Sequence, residues 1–516
     1  MTNRNDKMTR YNVEQVEMSR ISAALTKKRV TSVQITEAYI ERIKTFDHFF
    51  NSVIQIAPDA LERAAASDRR RSSDKALGPL DGVPILVKDN IDVEGMATTA
   101  GSYALMQNFP TRDAELVRRL RAVGAIILGK TNLCQFSGFR TTMTFNGSTV
   151  GGAVRNPYDL ARTPGGSSSG SVVAAATSFA AGAIGTETSG SIVEPASMSG
   201  LVGLKPTVGL ISRRGIVPIS ANQDTAGPIT RSVADAALII NAIAGSDTAD
   251  SWSKDADAHK DDLTKALDPT ALQNTRIGVI YDVNSLTPET TPLLEAAVKV
   301  MTAQDAIIVH IPESGIINLC HELRHFILTY QFSEDLNAYL AGTPAAVKTR
   351  SMLDLIAFNK EEPHENVHGQ DLFEESVAMK GGRKNSEYVR MLDYVTNASR
   401  ADGIDRLIRD YNLAALVTVT TVPAGKTKMD GTPPAESPLT DASQSRMPGS
   451  MVAYAAIAGY PHLTVPMGMV NGMPVGLSFV GPAWSDRRLL SLGYSYEQAS
   501  HMRKPPLIPP SWPDQL

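Results

Sequence analysis

The sequence predicts an α/β protein in which helices cover a β-sheet. The stretch "GVPILVKDN" (82–90) is typical of a short buried strand that ends at Lys88. The stretch "AELVRRLRAVGAIILGKT" (114–131) predicts a helix that ends at Gly124 and a strand that follows it. Residues 276–311 repeat this alternation as strand, helix and strand. Such alternation is typical of a sheet with helices on its faces.

The remaining segments predict elements that complete this architecture. The first sixty residues are typical of helices, and the Ala-rich segment 171–185 predicts one buried helix because it is apolar on all sides. Residues 316–410 predict a mostly helical excursion. Strand patterns return at 414–422 and 474–481.

Composition and charge exclude several classes of protein. The chain has 516 residues, 42% of them hydrophobic and 20% charged, and its net charge of −4 does not favour nucleic-acid or anionic-membrane partners. Cys134 and Cys320 are the two cysteines, too far apart for a disulfide framework or a structural zinc site. The N-terminus shows no apolar signal segment, and the apolar run 172–184 is too short to span a bilayer. We therefore expect a cytoplasmic enzyme.

Motifs for cofactors and metals are weak. The Gly-rich run "PGGSSSGS" (164–171) lacks the Gly-Lys-Ser/Thr ending of a phosphate-binding loop. His321 and His325 have the spacing of a metal pair, but no third ligand is evident. His462, in "GYPHLTVP", is interpreted as a loop residue rather than a catalyst. The sequence predicts no metal and no cofactor.

Lys88 is the candidate base for a serine nucleophile. No histidine lies in a Gly-rich turn, and a serine without histidine needs another base, such as a neutral lysine. Burial at the end of "PILVK" would lower the pKa of Lys88, and a shift from about 10.4 to about 7 costs about 4 to 5 kcal/mol. The alternative is a lysine that extends from the strand end to solvent, and the local sequence alone favours it.

Two longer segments resemble the amidase signature family. They are "GGSSSGSVVAAA" (165–176) and "AIGTETSGSIVEPASMSGLVGLKPTVGLIS" (183–212), and the agreement extends from about residue 30 to about residue 500. The stretches 330–342 and 353–359 are similar to the branch that contains peptide amidases, which remove the C-terminal amide from peptides. The resemblance implies one large, mixed, mainly parallel β-sheet covered by helices on both faces, with a helical excursion.

The resemblance also implies a catalytic triad. By motif position Ser191 is similar to the family's nucleophile, Ser167 to a bridging serine after a cis peptide, and Lys88 to the base. Ser167 and Ser191 are 24 residues apart (191 − 167), which is the family's spacing. The enzyme would form an acyl-enzyme without a metal. The family's oxyanion hole corresponds to the backbone N–H groups of Thr188, Ser189, Gly190 and Ser191.

Several residues depart from common family patterns. Ser189 stands where glycine is frequent, and Gln135 replaces an acid often found after "GKTN". Many members have an arginine two or three residues after the nucleophile, where this chain has Val193 and Glu194. This departure disfavours a small acidic substrate and a glutaminase role in a tRNA-dependent amidotransferase.

The expected function is a metal-independent serine amidase that acts on a peptide C-terminal amide or a xenobiotic amide, as a monomer or homodimer. The alternatives are the glutaminase-type subunit of an amidotransferase complex, and an aryl acylamidase, carbamate hydrolase or ester hydrolase on the same fold. Candidate pocket residues, for which core packing is the alternative, are Phe136, Phe139, Ile192, Gln223 and Tyr454.

The domain organisation is expected to be one amidase signature domain over residues 1–516. Residues 30–245 would form the signature core with the triad. Residues 246–410 would contain a polar linker, a strand–helix–strand unit and the helical excursion. Residues 411–500 would supply strands that complete the sheet.

Overall fold

The structure of the protein is a computed structural model that describes residues 11–142, 145–281, 286–312, 316–428 and 451–508. Its strands are β1 (Val53–Ile56), β2 (Pro84–Lys88), β3 (Ile126–Thr131), β4 (Gly147–Ser148), β5 (Gly152–Ala153), β6 (Gly182–Glu187), β7 (Val202–Lys205), β8 (Thr225–Thr230), β9 (Arg276–Ile280), β10 (Ile307–Ile311), β11 (Ala415–Val419), β12 (His462–Val470) and β13 (Met473–Val480).

The helices surround these strands along the whole described chain. They are α1 (Met18–Thr26), α2 (Ser32–Phe46), α3 (Ala60–Ser72), α4 (Glu115–Ala122), α5 (Ser169–Ala176), α6 (Val193–Met198), α7 (Val233–Ile243), α8 (Ala256–His259), α9 (Thr291–Ala303), α10 (Ile316–Ala341), α11 (Met352–Glu361), α12 (Asp371–Ala378), α13 (Ser386–Ser399), α14 (Asp405–Asp410), α15 (Met451–Ala458) and α16 (Asp486–Ser500).

One mixed sheet organises the molecule. Among the described residues it contains eleven strands in the order β1-β3-β2-β6-β8-β7-β12-β13-β11-β9-β10. The four pairings within β3-β2-β6 and β11-β9-β10 are parallel, and the other six are antiparallel. The predicted α/β class with a large mixed sheet is confirmed, although antiparallel pairings are the more numerous.

All three predicted regions of the chain contribute strands to this sheet. Strands β1 to β3 and β6 to β8 come from the first region, β9 and β10 from the second, and β11 to β13 from the third. Helices α4, α5, α7 and α16 pack on the sheet. The number of domains stays a prediction.

The parallel neighbours β2 and β6 place the two parts of the signature together. Val87 of β2 lies opposite Ile184 of β6. Because parallel strands end at the same edge of a sheet, Lys88 at the end of β2 and Glu187 at the end of β6 lie at one edge. This edge carries the candidate site.

Three predictions of local structure are wrong. The first sixty residues are not all helical, because strand β1 lies at Val53–Ile56 and pairs with β3. The segment 171–185 is not one helix: α5 ends at Ala176, Ser178 has a left-handed φ of 60°, and β6 follows. Both elements are buried on all sides, so apolarity could not distinguish a buried helix from a buried strand. His462 is not a loop residue but the first residue of β12, where its Nε2 lies 2.6 Å from Ser478 Oγ.

The helical excursion is confirmed over its described residues. It consists of α10 to α14, with a π-helical segment at Arg400–Ile404 between α13 and α14. Its longest helix, α10, is also not apolar enough for a bilayer: within the described ranges, no helix combines the length and hydrophobicity of a membrane span.

Candidate active site

Lys88 is the central polar group of the site. Every residue of β2 is buried, and Lys88 is 0% exposed. Its Nζ lies 2.7 Å from Ser167 Oγ, 2.8 Å from Thr186 Oγ1 and 3.3 Å from the Thr186 carbonyl oxygen. The alternative of a lysine that extends to solvent is therefore wrong.

The surroundings of Lys88 favour its neutral form. Burial lowers the pKa of the Lys88 ammonium from 10.5 to about 7, and the nearby charges of Asp224 and Glu187 act in the opposite direction. At neutral pH a large fraction of the Lys88 side chains therefore carries a lone pair that can accept a proton.

Ser167 lies at the start of the turn that leads into α5. The peptide bond between Gly166 and Ser167 is cis. Gly166 packs against Cys134, and a Cβ at this glycine would overlap the Cys134 sulfur. The Ser167 carbonyl accepts a hydrogen bond of 3.0 Å from the Cys134 N–H. These contacts fix Ser167 beside Lys88.

Ser191 belongs to the loop between β6 and α6, directly beside this turn. Its carbonyl accepts a hydrogen bond of 3.3 Å from the Ser168 N–H. Glu187 closes the loop, because its Oε2 accepts from the N–H groups of Ile192 at 2.8 Å and Val193 at 3.1 Å. The loop therefore places Ser191 in contact with Ser168, the residue that follows Ser167.

The loop 188–191 is also held from a second side. Gln223 Nε2 donates to the Thr188 carbonyl at 3.0 Å, and the Thr188 hydroxyl donates to Asp224 Oδ1 at 2.6 Å. In this described part of the chain, the hydrogen bonds outside helices and strands leave four loop N–H groups unused. They are those of Thr188, Ser189, Gly190 and Ser191.

A cleft of about 380 Å³ opens next to this loop. Of the residues that line it, only Thr188 was named from the sequence. Asn90, two residues after Lys88, and Asp224, which directly follows Gln223, were missed. Asn90 donates to Thr186 Oγ1 at 2.9 Å. The lining includes Asn90, Ser137, Thr186, Thr188, Ile219, Asp224 and Asp335.

The five candidate pocket residues lie behind the cleft. Gln223 holds the Thr188 carbonyl, and Ile192 packs in the main core. Phe136 and Phe139 share a second apolar cluster, and Tyr454 is 0% exposed in a third. None of the five lines the cleft. Substrate contact by these residues stays a prediction.

The described residues contain no group of three or more His, Cys, Asp or Glu side chains that could hold a metal ion. His325 forms an exposed ion pair with Glu375, with 2.9 Å between Nε2 and Oε2. The His321 side chain lies outside the described part of the structure.

The geometry is suited to nucleophilic catalysis. A buried amine with a lowered pKa contacts one serine, and the loop that carries a second serine is hydrogen-bonded to the residue that follows the first. A serine acts as a nucleophile when a base removes its proton. The fold and this group of side chains are those expected of a hydrolase.

Comparison with known proteins identifies the family. The family model described as Amidase matches residues 34–490. A crystal structure of native peptide amidase from Stenotrophomonas maltophilia is 41% identical, with a TM-score of 0.88 over 96% of this chain and 98% of that one.

Curated sequences extend the comparison. A probable amidase of Arabidopsis thaliana is 34% identical over 96% of this chain and 92% of that protein. A glutamyl-tRNA(Gln) amidotransferase subunit of Moorella thermoacetica is 34% identical over 94% of this chain and 97% of that protein. The chain belongs to the amidase family, and it is a hydrolase that acts on amide C–N bonds.

Proposed function

We propose that the protein is a metal-independent serine amidase in which Ser191 is the nucleophile, Ser167 transfers the proton and Lys88 is the base. The observation that carries this proposal is the 2.7 Å contact between Lys88 Nζ and Ser167 Oγ in a fully buried site. Burial that lowers the pKa of Lys88 to about 7 supplies a neutral base at physiological pH.

The reaction begins when Ser191 Oγ attacks the substrate carbonyl carbon. Ser191 gives its proton to Ser167, and Ser167 gives its own proton to the lone pair of Lys88. The tetrahedral intermediate expels the amine, which takes up a proton returned through Ser167. Water then attacks the acyl-enzyme by the same proton route and releases the carboxylic acid.

The loop 188–191 supplies the oxyanion hole in this proposal. Among the described residues, its N–H groups donate to no oxygen outside the helices and strands. Backbone donors also need no side-chain rearrangement as charge develops on the substrate oxygen. Loss of one such donor costs about 3 to 4 kcal/mol of transition-state stabilisation in comparable enzymes.

The proposed substrate is the C-terminal amide of a short peptide, or a small-molecule amide. The similarity to a peptide amidase over nearly the whole chain supports this class. The cleft of about 380 Å³ lies in the range of ligand-binding pockets, about 300 to 1,000 Å³. Val193, in place of an arginine, leaves this position without a partner for a substrate carboxylate.

Replacement of the nucleophile tests the proposal. We expect Ser191→Ala to lower kcat by about 10³-fold or more, because the reaction loses its covalent step. Ser199→Ala is the matched control: within the described structure this buried serine hydroxyl has no hydrogen-bond partner, and the variant should keep full activity. The assay measures ammonia and amine release from amides, peptide amides, anilides, esters and carbamates. Turnover by Ser191→Ala close to wild type would refute the assignment.

The second candidate is a component of a tRNA-dependent amidotransferase, which the Moorella thermoacetica relative favours. In that case a partner protein should copurify, and the isolated chain should not hydrolyse simple amides. The first candidate instead implies an active monomer or homodimer, which size-exclusion chromatography with light scattering distinguishes. We also propose a cytoplasmic location, which the small number of cysteines, two in 516 residues, supports.

A further inference from the structure

The turn Gln135–Gly138 directly follows Cys134, whose N–H donates to the carbonyl of the proposed bridging serine, Ser167, at 3.0 Å. The position of a Cβ on Gly138 would be 3.9 Å from Ser167 Cβ. Phe136, Ser137 and Gly138 all have left-handed backbone angles, with φ of 46°, 55° and 79°. This conformation is unfavourable for phenylalanine and serine, so it persists only where surrounding contacts impose it.

One buried carboxylate outside the signature core supplies such contacts. Glu365 lies between α11 and α12 of the helical excursion and is 0% exposed. Its Oε2 accepts a hydrogen bond of 2.8 Å from Gln135 Nε2 and another from the Arg140 guanidinium. Arg140 in turn donates to Gln135 Oε1 at 2.8 Å. The three side chains form a closed ring of hydrogen bonds. Two of its members, Gln135 in the turn and Arg140 just after it, are joined by the third, Glu365.

The second oxygen of Glu365 joins the carboxylate to the core. Its Oε1 accepts from Ser102 Oγ at 3.0 Å, from the Tyr103 N–H at 2.8 Å and from Thr149 Oγ1 at 2.8 Å. A carboxylate that accepts this many hydrogen bonds is fixed in position, because movement would leave several buried donors unpaired.

Aromatic side chains hold the same turn from the excursion. The rings of Phe136 and Phe373 are 5.1 Å apart, and those of Phe139 and Phe332 are also 5.1 Å apart. Both pairs are edge-to-face, the geometry that aromatic rings prefer. The excursion therefore contacts the turn through a charged group and through packed rings.

We propose that Glu365 is a positioning residue, which through Gln135 and Arg140 fixes the turn that supports Ser167. The helical excursion then has a role in catalysis besides forming a wall of the molecule. Gln135 carries no charge, so the excursion provides the carboxylate that Arg140 requires. This inference rests on the proposed role of Ser167 in proton transfer.

A charge exchange across the ring tests this proposal. In Glu365→Gln one carboxylate oxygen becomes an NH2 group. That group faces either the donors of Gln135 and Arg140 or the Tyr103 N–H, so two N–H donors meet in either orientation. We expect kcat to fall about tenfold, since small displacements of reacting groups are costly. The double variant Gln135→Glu/Glu365→Gln exchanges the two groups, so that position 135 carries the carboxylate and position 365 the amide. There the amide at position 365 donates to the new carboxylate and offers its oxygen to Ser102. Arg140 loses its acceptor at position 365 but keeps the one at position 135, which is now charged, so we expect kcat to recover in part, to within about threefold of wild type.

The control is Glu374→Gln, which removes an exposed ion pair with Lys360 on the same excursion and should leave kcat unchanged. Thermal unfolding of each variant shows that it is folded at the assay temperature. If Glu365→Gln does not fold, Gln135→Leu replaces it, because it breaks the ring and leaves the Arg140–Glu365 pair intact; its kcat should fall about threefold.

Two results would overturn the inference: a kcat of Glu365→Gln within twofold of wild type, or a double variant as slow as the single one. Ser167→Ala separates this inference from the proposed function. If Ser167→Ala is inactive while Glu365→Gln is fully active, only the positioning role fails. If Ser167→Ala is fully active, the proposed proton transfer fails as well.

Discussion

In the proposed mechanism, a single buried lysine sets the pH range in which the enzyme is active. Lys88 contacts Ser167 and the two oxygens of Thr186, and all three partners accept hydrogen bonds from an ammonium. Burial opposes this charged form and lowers the pKa of Lys88 to about 7. The three oxygens therefore stabilise the protonated amine by hydrogen bonds, while burial keeps its pKa low enough for it to release the proton again.

The acid limb of the pH profile should report this lysine. Because the neutral amine is the active form, we expect kcat/KM to be half-maximal at about pH 7 and to fall as the pH decreases below that value. Asp224→Asn should move this limb to lower pH, since the Asp224 charge raises the pKa of Lys88. Initial rates between about pH 5 and about pH 10 measure both. An Asp224→Asn limb at higher pH would contradict the assignment.

Some residues of the site were predictable from the sequence, and others were not. Motif likeness indicated Lys88, Ser167 and Ser191, because their spacing lies within recognisable segments. Glu365 was not predictable, since it meets Gln135 across 230 residues of chain and no local pattern marks the contact.

At the scale of elements, the loop between β6 and α6 depends on the backbone of one glycine. Gly190 has a φ of 95°, and an added Cβ would meet the Glu194 carboxyl at 2.6 Å and a Val452 methyl at 2.8 Å. The loop cannot move away freely, because the Glu187 carboxylate accepts hydrogen bonds from the N–H groups of Ile192 and Val193. A side chain at this position must therefore displace the loop.

We expect Gly190→Ala to lower kcat by about 10²-fold, because displaced loop N–H groups no longer reach the substrate oxygen. The matched control is Gly472→Ala in the turn between β12 and β13. Gly472 also has a positive φ, 81°, but among the described residues no atom lies within 4 Å of its added Cβ. It should lose about 1 kcal/mol of stability and keep its kcat. Equal kcat values for the two variants would contradict the role of this loop.

The type of an element was predictable where polar and apolar residues alternate along it. It was not predictable where every residue is buried. Helix α2, for example, follows a Thr-x-x-Gln pattern typical of a capping box, and Thr31 Oγ1 accepts a hydrogen bond of 3.1 Å from the Gln34 N–H. Buried segments such as 171–185 lack a polar face, so their sequence does not show whether they are helical or extended.

For the whole molecule, the buried lysine lowers stability. A group whose pKa falls from 10.5 to about 7 on folding binds fewer protons in the folded state. The cost is complete below about pH 7, decreases as the pH rises, and disappears above about pH 10.5. At about 1.4 kcal/mol for each pKa unit, it is several kcal/mol at neutral pH.

Lys88→Met should therefore stabilise the fold while it abolishes turnover. We expect a gain on the order of 2 kcal/mol at about pH 7, smaller than the full cost because Ser167 and Thr186 lose a hydrogen-bond partner. The Tm of the variant minus that of wild type should decrease from about pH 7 to about pH 10 and become negative, because the burial cost disappears while the lost hydrogen bonds remain. A variant less stable than wild type at neutral pH would show that these hydrogen bonds outweigh the burial cost.

The order of strands has a consequence for synthesis on the ribosome. The hairpin β12–β13 is the last pair of strands to be made, yet it lies between β7 and β11 inside the sheet. A nascent chain that stops before His462 therefore exposes two unpaired strand edges, which favour aggregation. Even with Lys88, Ser167 and Ser191 already translated, β7 and β11 stay apart until β12 and β13 emerge, so chaperones that shield open edges should raise the yield of folded enzyme.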